Sequence, residues 1–278
     1  MPLTSEARRH AHTRLQHRSA FGWDFHYAAI SDVGQRREEN EDFYLLYPER
    51  NLYVLADGMG GHAAGEVAAR LASETLGAYF EEQELPETLP DPDPLHPLPD
   101  HLERAMKLAN RSVFEEGSSH SGKRGMGTTL VALTFHRDFA YWAHVGDSRL
   151  YIYRDDSLGV LTRDHSLLED AIVSQGFSHQ EAQDFRRAFP YRNVLTRAIG
   201  SRDEVDVDVA GMPLNDGDIY LLTSDGVHDV IGPSTIADII TTHRPDFATA
   251  ARTLVDQTNA AGGPDNITAL FVQSSRIR

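Results

Sequence analysis

Four short acidic motifs carry the residue types that bind hard divalent cations: Asn40-Glu41-Asp42, Asp57-Gly58-Met59-Gly60-Gly61-His62, Ser224-Asp225-Gly226 and Asp265-Asn266. Each adjoins an apolar run, so each carboxylate projects from a strand end into a loop, and adjacent glycines let backbone approach a ligand closely. A single Asp-Gly pair reads equally well as a turn. Four acidic motifs of this kind in one chain point to metal chemistry instead. Magnesium and manganese take oxygen ligands in octahedral geometry and keep several waters, so a few carboxylates and one backbone carbonyl suffice. Arg37 stands just before Glu41. Its fork can hold phosphate oxygens, or it can join Arg36 in balancing Glu38 and Glu39 on a solvated turn. Asp216-Gly217 lacks the length and terminal Glu of a calcium loop and is expected to be a hairpin turn.

These groups need rigid elements to hold them. Strand-like text begins at Trp23 (WDFHYAAIS) and continues at Phe43–Tyr47 and Leu52–Ala56. Helical spacing covers Ala63 to about Phe80 and Leu102 to about Glu116. Between them the segment 84–100 holds six prolines, so it is expected to be an extended surface connector. After Gly127 come TTLVALTF, FAYWAHV and RLYIYR, the last two separated by Gly146-Asp147-Ser148, which predicts a hairpin. Residues 166–191 lose the strand pattern and suggest two short helices around Gln175-Gly176. VDVDVA and DIYLLTS read as strands, Ser234–Thr242 and Phe247–Asn259 as helices, and NITALFVQS as a closing strand. Helices clustering in pairs between runs of strands, without regular strand–helix alternation, predict an α+β fold of packed antiparallel sheets. Residues 1–22 mix Arg, His, Ser and Gln and are expected to form a flexible N-terminal tail outside a catalytic domain at 23–275.

Composition narrows the chemistry. The 278 residues contain no cysteine, which excludes a cysteine nucleophile, a thiolate zinc site and a disulfide framework. Asp and Glu outnumber Lys and Arg by 42 to 26, and a formal charge of −16 disfavours nucleic acid as a partner. No apolar stretch has the length of a membrane span, and the N-terminus lacks the apolar core of a signal peptide, so a cytoplasmic location is expected.

The order of motifs closely resembles the metal-dependent protein phosphatases, the type 2C family of serine/threonine protein phosphatases, in its compact bacterial form. The resemblance runs from Ser31-Asp32-Val33-Gly34 through Arg37, Asn40-Glu41-Asp42, the Asp57–His62 motif, Gly127-Thr128-Thr129 and Val145-Gly146-Asp147-Ser148-Arg149. It continues through Asp164-His165-Ser166, the segment from Asn193 to Gly200 and Ser224-Asp225-Gly226 to Asp265-Asn266-Ile267. It implies a four-layer α-β-β-α sandwich of two central antiparallel sheets flanked by helix pairs, with a flap subdomain at 166–191. It also implies hydrolysis of phosphoserine and phosphothreonine in proteins by a water or hydroxide bridging two Mn2+ or Mg2+ ions, with Arg37 on the phosphate. By the same resemblance Asp57 bridges the two metals, Asp225 and Asp265 complete the first, and the Gly58 carbonyl meets the second. Glu41 acts through a metal-bound water with Asp42 beside it. Asp147, Asp225 and Asp229 match the ligands of a third, weaker metal. The usual histidine acid is replaced by Met59; His62 is a candidate for its role, or a helix-entry residue, or a metal-bound water serves instead.

The partners so implied are phosphorylated proteins, including targets of a serine/threonine kinase, met by a monomer. Two other functions stay open on sequence: a catalytically silent binding scaffold and an esterase for small phosphorylated molecules. Retention of Asp57, Asp225 and Asp265 argues against the first, because unpaired buried acids are costly without a cation. An open cleft instead of a closed pocket would argue against the second.

Overall fold

A computed structural model describes residues 9–60, 63–82, 98–177 and 179–277. Apolar alternation along the strands sorts side chains into three cores. In the strand Trp23–Asp32 (β2), Trp23, Phe25, Tyr27 and Ala29 face one way while Ala28 and Ile30 face the other. Such two-sided burial requires a layer on each face.

The first sheet has the order β1-β2-β12-β11-β8-β9, formed by Arg9–Ala20 (β1), β2, Ile267–Arg276 (β12), Ile219–Thr223 (β11), Arg149–Arg154 (β8) and Ser157–Val160 (β9). The second has the order β10-β7-β6-β4-β3, formed by Asp208–Pro213 (β10), Phe139–Val145 (β7), Leu130–His136 (β6), Leu52–Met59 (β4) and Asp42–Tyr47 (β3). The short Gly127–Thr128 (β5) pairs with the end of β4. All strand pairs are antiparallel. The sheets meet across a core that includes Phe25, Tyr53, Phe135, Tyr220 and Leu270, in which the Phe25 and Phe135 rings stack at 4.5 Å. Ala63–Glu82 (α1) and Leu98–Ser119 (α2) cover the second sheet. Pro233–His243 (α6) and Phe247–Ala260 (α7) cover the first. The result is the four-layer α-β-β-α sandwich.

Three expectations need correction. Residues 9–20 form strand β1, paired with β2 from Arg9↔Asp32 to Ala20↔Trp23, where a flexible tail was expected. β1 is an edge strand with Leu15 and Arg18 exposed, so backbone hydrogen bonds hold it and no apolar alternation marks it. Residues 1–8 lie outside the described ones. Second, Gly146-Asp147-Ser148 is not a hairpin: β7 belongs to one sheet and β8 to the other, so the chain crosses between sheets there. Asn215–Asp218 likewise joins β10 to β11 across the sheets, as a turn closed by Asp218 N–H donating to the Asn215 carbonyl. Turn chemistry was read correctly in both places, but turn residues do not specify which strands they pair. Third, α2 begins at Leu98, with Leu98 buried, so the last residues of the predicted connector belong to a helix; residues 84–97 lie outside the described ones. The segment 166–191 holds two helices, Leu167–Gln175 (α3) and His179–Ala188 (α4).

Candidate metal centre

The acidic motifs converge because strand ends from both sheets meet at one edge of the sandwich. Asp42 and Asp57 are direct partners in the β3–β4 ladder. Asp225 opens the short helix Asp225–His228 (α5) directly after β11, and Asp265 lies just before β12. Asp147 sits in the sheet crossing after β7, where Gly146 adopts φ +106° and a Cβ would lie 2.6 Å from the Thr129 side chain. An open cleft of ≈ 780 Å³ has Arg37, Glu41, Asp57, Gly58, Asp147, Asp225 and Asp265 on its wall.

Hydroxyl and amide side chains fix these acids. The Asp57 N–H donates to Thr129 Oγ1 (2.9 Å), and its carbonyl accepts from Thr128 Oγ1 (2.9 Å) and the Thr129 N–H (2.8 Å). Ser148, beside Asp147, shares a 2.7 Å hydrogen bond with Thr129. Asn266 accepts the Glu41 N–H (2.8 Å) and donates to the carbonyls of Val33 and Glu39, tying the loop that carries Arg37 to β12. Gly58 is packed so tightly that a Cβ would lie 2.2 Å from the Gly65 carbonyl oxygen. The Glu41 carboxylate lies against Gly65 and accepts its N–H in the first turn of α1.

Two of the predicted residues stand apart from the cleft wall. Asp42 is buried, and one of its oxygens accepts from Ser224 Oγ (2.7 Å) and Thr268 Oγ1 (2.6 Å), so it braces strands from both sheets. Asp229 is exposed at the end of α5. His62 lies outside the described residues.

Electrostatics mark the cluster as one that needs a cation. Burial, reinforced by Asp42, Asp225, Asp147 and Asp265, holds the Asp57 carboxyl well above the ordinary carboxylate range. Burial and neighbouring acids also push Asp42 up to about 7, Asp147 to about 8 and Asp225 to about 6. Asp225 stands beside Asp57 in the same cleft, two buried carboxyls that would both be ionised in water. Among the described residues, the cluster acids on this wall have one arginine partner, Arg37, whose Nη2 donates to Asp265 at 2.7 Å. Crowded, desolvated oxygen donors with too few protein cations fit hard divalent ions.

A second group of metal-type side chains, His144, His165 and Asp208, lies beneath the Asp147 loop. Arg197 fills it, donating to Asp208 at 2.6 Å and approaching His165 Nε2 at 3.2 Å, so the cation there is a guanidinium. Burial, with His144 and Arg197 beside it, pushes His165 down to about 4, which keeps it neutral. Its Nδ1 accepts the Gly146 N–H (3.2 Å) and its own N–H donates to the Gly146 carbonyl (2.9 Å), so His165 clamps the loop bearing Asp147. Sequence reasoning assigned it no role. Arg149 and Asp164 form a two-pronged ion pair alongside, at 2.8 and 2.6 Å. Arg186 pairs with Glu169 and joins α4 to α3.

Comparison with known proteins agrees with this geometry. The family profile described as Protein phosphatase 2C matches residues 35–268. Protein phosphatase PhpP of Streptococcus pneumoniae is 35% identical over 246 residues, spanning 87% of this chain and 95% of that protein. The crystal structure of the serine/threonine phosphatase PstP/Ppp of Mycobacterium tuberculosis superposes with a TM-score of 0.77 at 33% identity, covering 90% of this chain and 98% of that one. The PstP catalytic domain in complex with two manganese ions gives a TM-score of 0.76 at 32% identity, covering 91% and 99%. The chain belongs to the protein phosphatase 2C family.

Proposed function

We propose that this protein hydrolyses phosphoserine and phosphothreonine esters in proteins, using two divalent cations, Mn2+ or Mg2+, held in the acidic cleft. The observation that carries the reading is the convergence of Asp57, Asp225 and Asp265 on one open wall with carboxyl groups that cannot all ionise without a cation. Asp57, Asp225, Asp265 and the Gly58 carbonyl would hold the ions, Glu41 would position a water, and Asp147 with Asp225 and the exposed Asp229 would serve a weaker third ion. Bound there, divalent ions bring water's ionisation near neutral pH and neutralise charge on the phosphoryl group.

The protein's own residues supply position. Arg37 stands at the mouth with its guanidinium half-exposed beside Asp265, where its free N–H groups could fork onto phosphate oxygens. Thr128 and Thr129 hold the Asp57 backbone so that its carboxylate does not need to reorganise during the reaction. The chain has no cysteine nucleophile, and the cleft carboxylates would be occupied in holding cations, so we expect direct attack by water with no phosphoenzyme. The cleft is open, which suits a phosphorylated side chain on a protein surface better than a small ester needing enclosure. A cytoplasmic monomer acting against a serine/threonine kinase is the setting we propose, and no helix among the described residues is long and apolar enough to cross a membrane.

The test is phosphate release from a phosphothreonine peptide after chelation and then with added Mn2+ or Mg2+. We expect turnover to return with metal and to fall by roughly a thousandfold in Asp57→Asn. A folded Asp57→Asn protein with normal turnover would overturn the two-metal reading.

A further inference from the structure

The cleft wall carries three arginines, and they differ in what they are bound to. Arg37 is paired with Asp265 and Arg197 with Asp208. Arg202, exposed on the same wall, has neither an ion pair nor a side-chain hydrogen bond among the described residues. An unpaired guanidinium is common on a surface, so this difference alone decides nothing. The backbone that presents Arg202 supplies the second observation.

That backbone is built into the frame of the metal centre. Asn110, buried on α2, accepts the Gly200 N–H at 2.8 Å and donates to the carbonyls of Arg202 and Asp203 at 3.0 and 3.1 Å. Ile199 exchanges two hydrogen bonds with Thr128, at 3.0 and 2.9 Å, and Thr128 in turn holds the Asp57 carbonyl and pairs with Gly58. A continuous hydrogen-bonded path therefore runs from the acid at the centre of the cluster to the loop of Arg202. A buried amide spent on three backbone groups of an exposed loop fixes that loop's position. Arg202 and the acids Asp57, Asp225 and Asp265 thus line one cleft on a shared hydrogen-bonded frame, with Arg202 on its exposed side.

We propose that Arg202 is a specificity residue that binds a second anionic group, a carboxylate or a further phosphate, flanking the phosphorylated residue of the substrate. This rests on the phosphoprotein-hydrolase reading of the cleft. The cluster of acids repels an anionic substrate, and the metals and Arg37 are committed to the reacting phosphate. Arg202 is the cation left to offset the remaining negative charge of an acidic peptide.

The experiment compares kcat/KM, with Mn2+ present, for phosphothreonine peptides in which one flanking residue, scanned along both sides of the phosphothreonine, is neutral, Glu, phosphoserine or Lys. Wild-type protein is expected to prefer an anionic flank to a neutral one, and Arg202→Ala to reduce that preference about fivefold, with Arg202→Lys intermediate. Arg202→Glu is expected to turn the preference toward the Lys peptide. Equal gains from Glu and phosphoserine identify a carboxylate as sufficient; a gain from phosphoserine alone identifies a second phosphate. An anionic preference identical in wild type and Arg202→Ala overturns the inference while leaving the phosphatase reading intact. If wild type hydrolyses p-nitrophenyl phosphate but no phosphothreonine peptide, the protein-substrate reading fails and this inference fails with it.

Discussion

Arg37 is held by Asp265, one of the carboxylates it stands beside, so on the proposed reading it would compete with a metal for that group. Removing it therefore separates two roles that a simple loss of activity would merge. In Arg37→Ala the KM for a phosphothreonine peptide should rise about tenfold through loss of the phosphate fork, while the Mn2+ concentration for half-activation should not increase. Weakened metal activation with unaltered KM would make Arg37 a structural partner of Asp265. Residues such as Asp57, Asp225 and Asp265 were legible because each is an acid beside an apolar run, a purely local signal. The bracing roles of Thr129, Asn266 and Asn110 were not, since their partners lie 72, 225 and 90 residues away. A hydroxyl or amide that braces a distant acid leaves no mark in its neighbours.

Elements position these residues through close backbone contact, most of all where the end of β4 passes α1. Gly58 faces the Gly65 and Glu41 carbonyl oxygens at distances that admit no side chain. Both are backbone atoms that cannot swing aside. Gly58→Ala should cost about 2–3 kcal/mol or more in urea unfolding, and an unchanged denaturation midpoint would show that β4 and α1 can separate freely. Strand and helix positions were readable from periodicity, including α6 and α7 to within a residue or so of their ends. Pairing was not readable at two turns. A glycine and an acid between two apolar runs reverse the chain whether it returns to the same sheet or enters the opposite one, and only the packing of Tyr53, Phe135 and Tyr220 between layers decides. Strand β1 was missed for the complementary reason: its place depends on the free edge of β2.

At the scale of the whole molecule, the buried acids couple folding to protons and metal. Folded values of about 7 for Asp42, 8 for Asp147 and 6 for Asp225 stand above an unfolded value of roughly 3.9. The folded chain thus holds protons that the unfolded chain releases, and this contribution to stability is complete below about pH 4 and lost as pH rises through about 6 to 8. Asp164 and Asp208, lowered by their arginine partners against the opposing effect of burial, act in the opposite sense, but only at more acid pH. The chelated protein should therefore melt at least about 5 °C lower at pH 8.5 than at pH 5.5, and Mn2+ should raise the melting temperature more at pH 8.5. A pH-independent melting temperature after chelation would sink this account. The position of β12 has a different consequence, concerning the order of events during synthesis. It is an interior strand, between β2 and β11, and Asp42 and Arg37 bond to residues at its head from more than two hundred positions earlier. Until those residues are in place the first sheet lacks an interior strand and the cleft wall lacks Asp265. A chain lacking β12 is therefore expected to have neither a continuous first sheet nor a complete acidic wall.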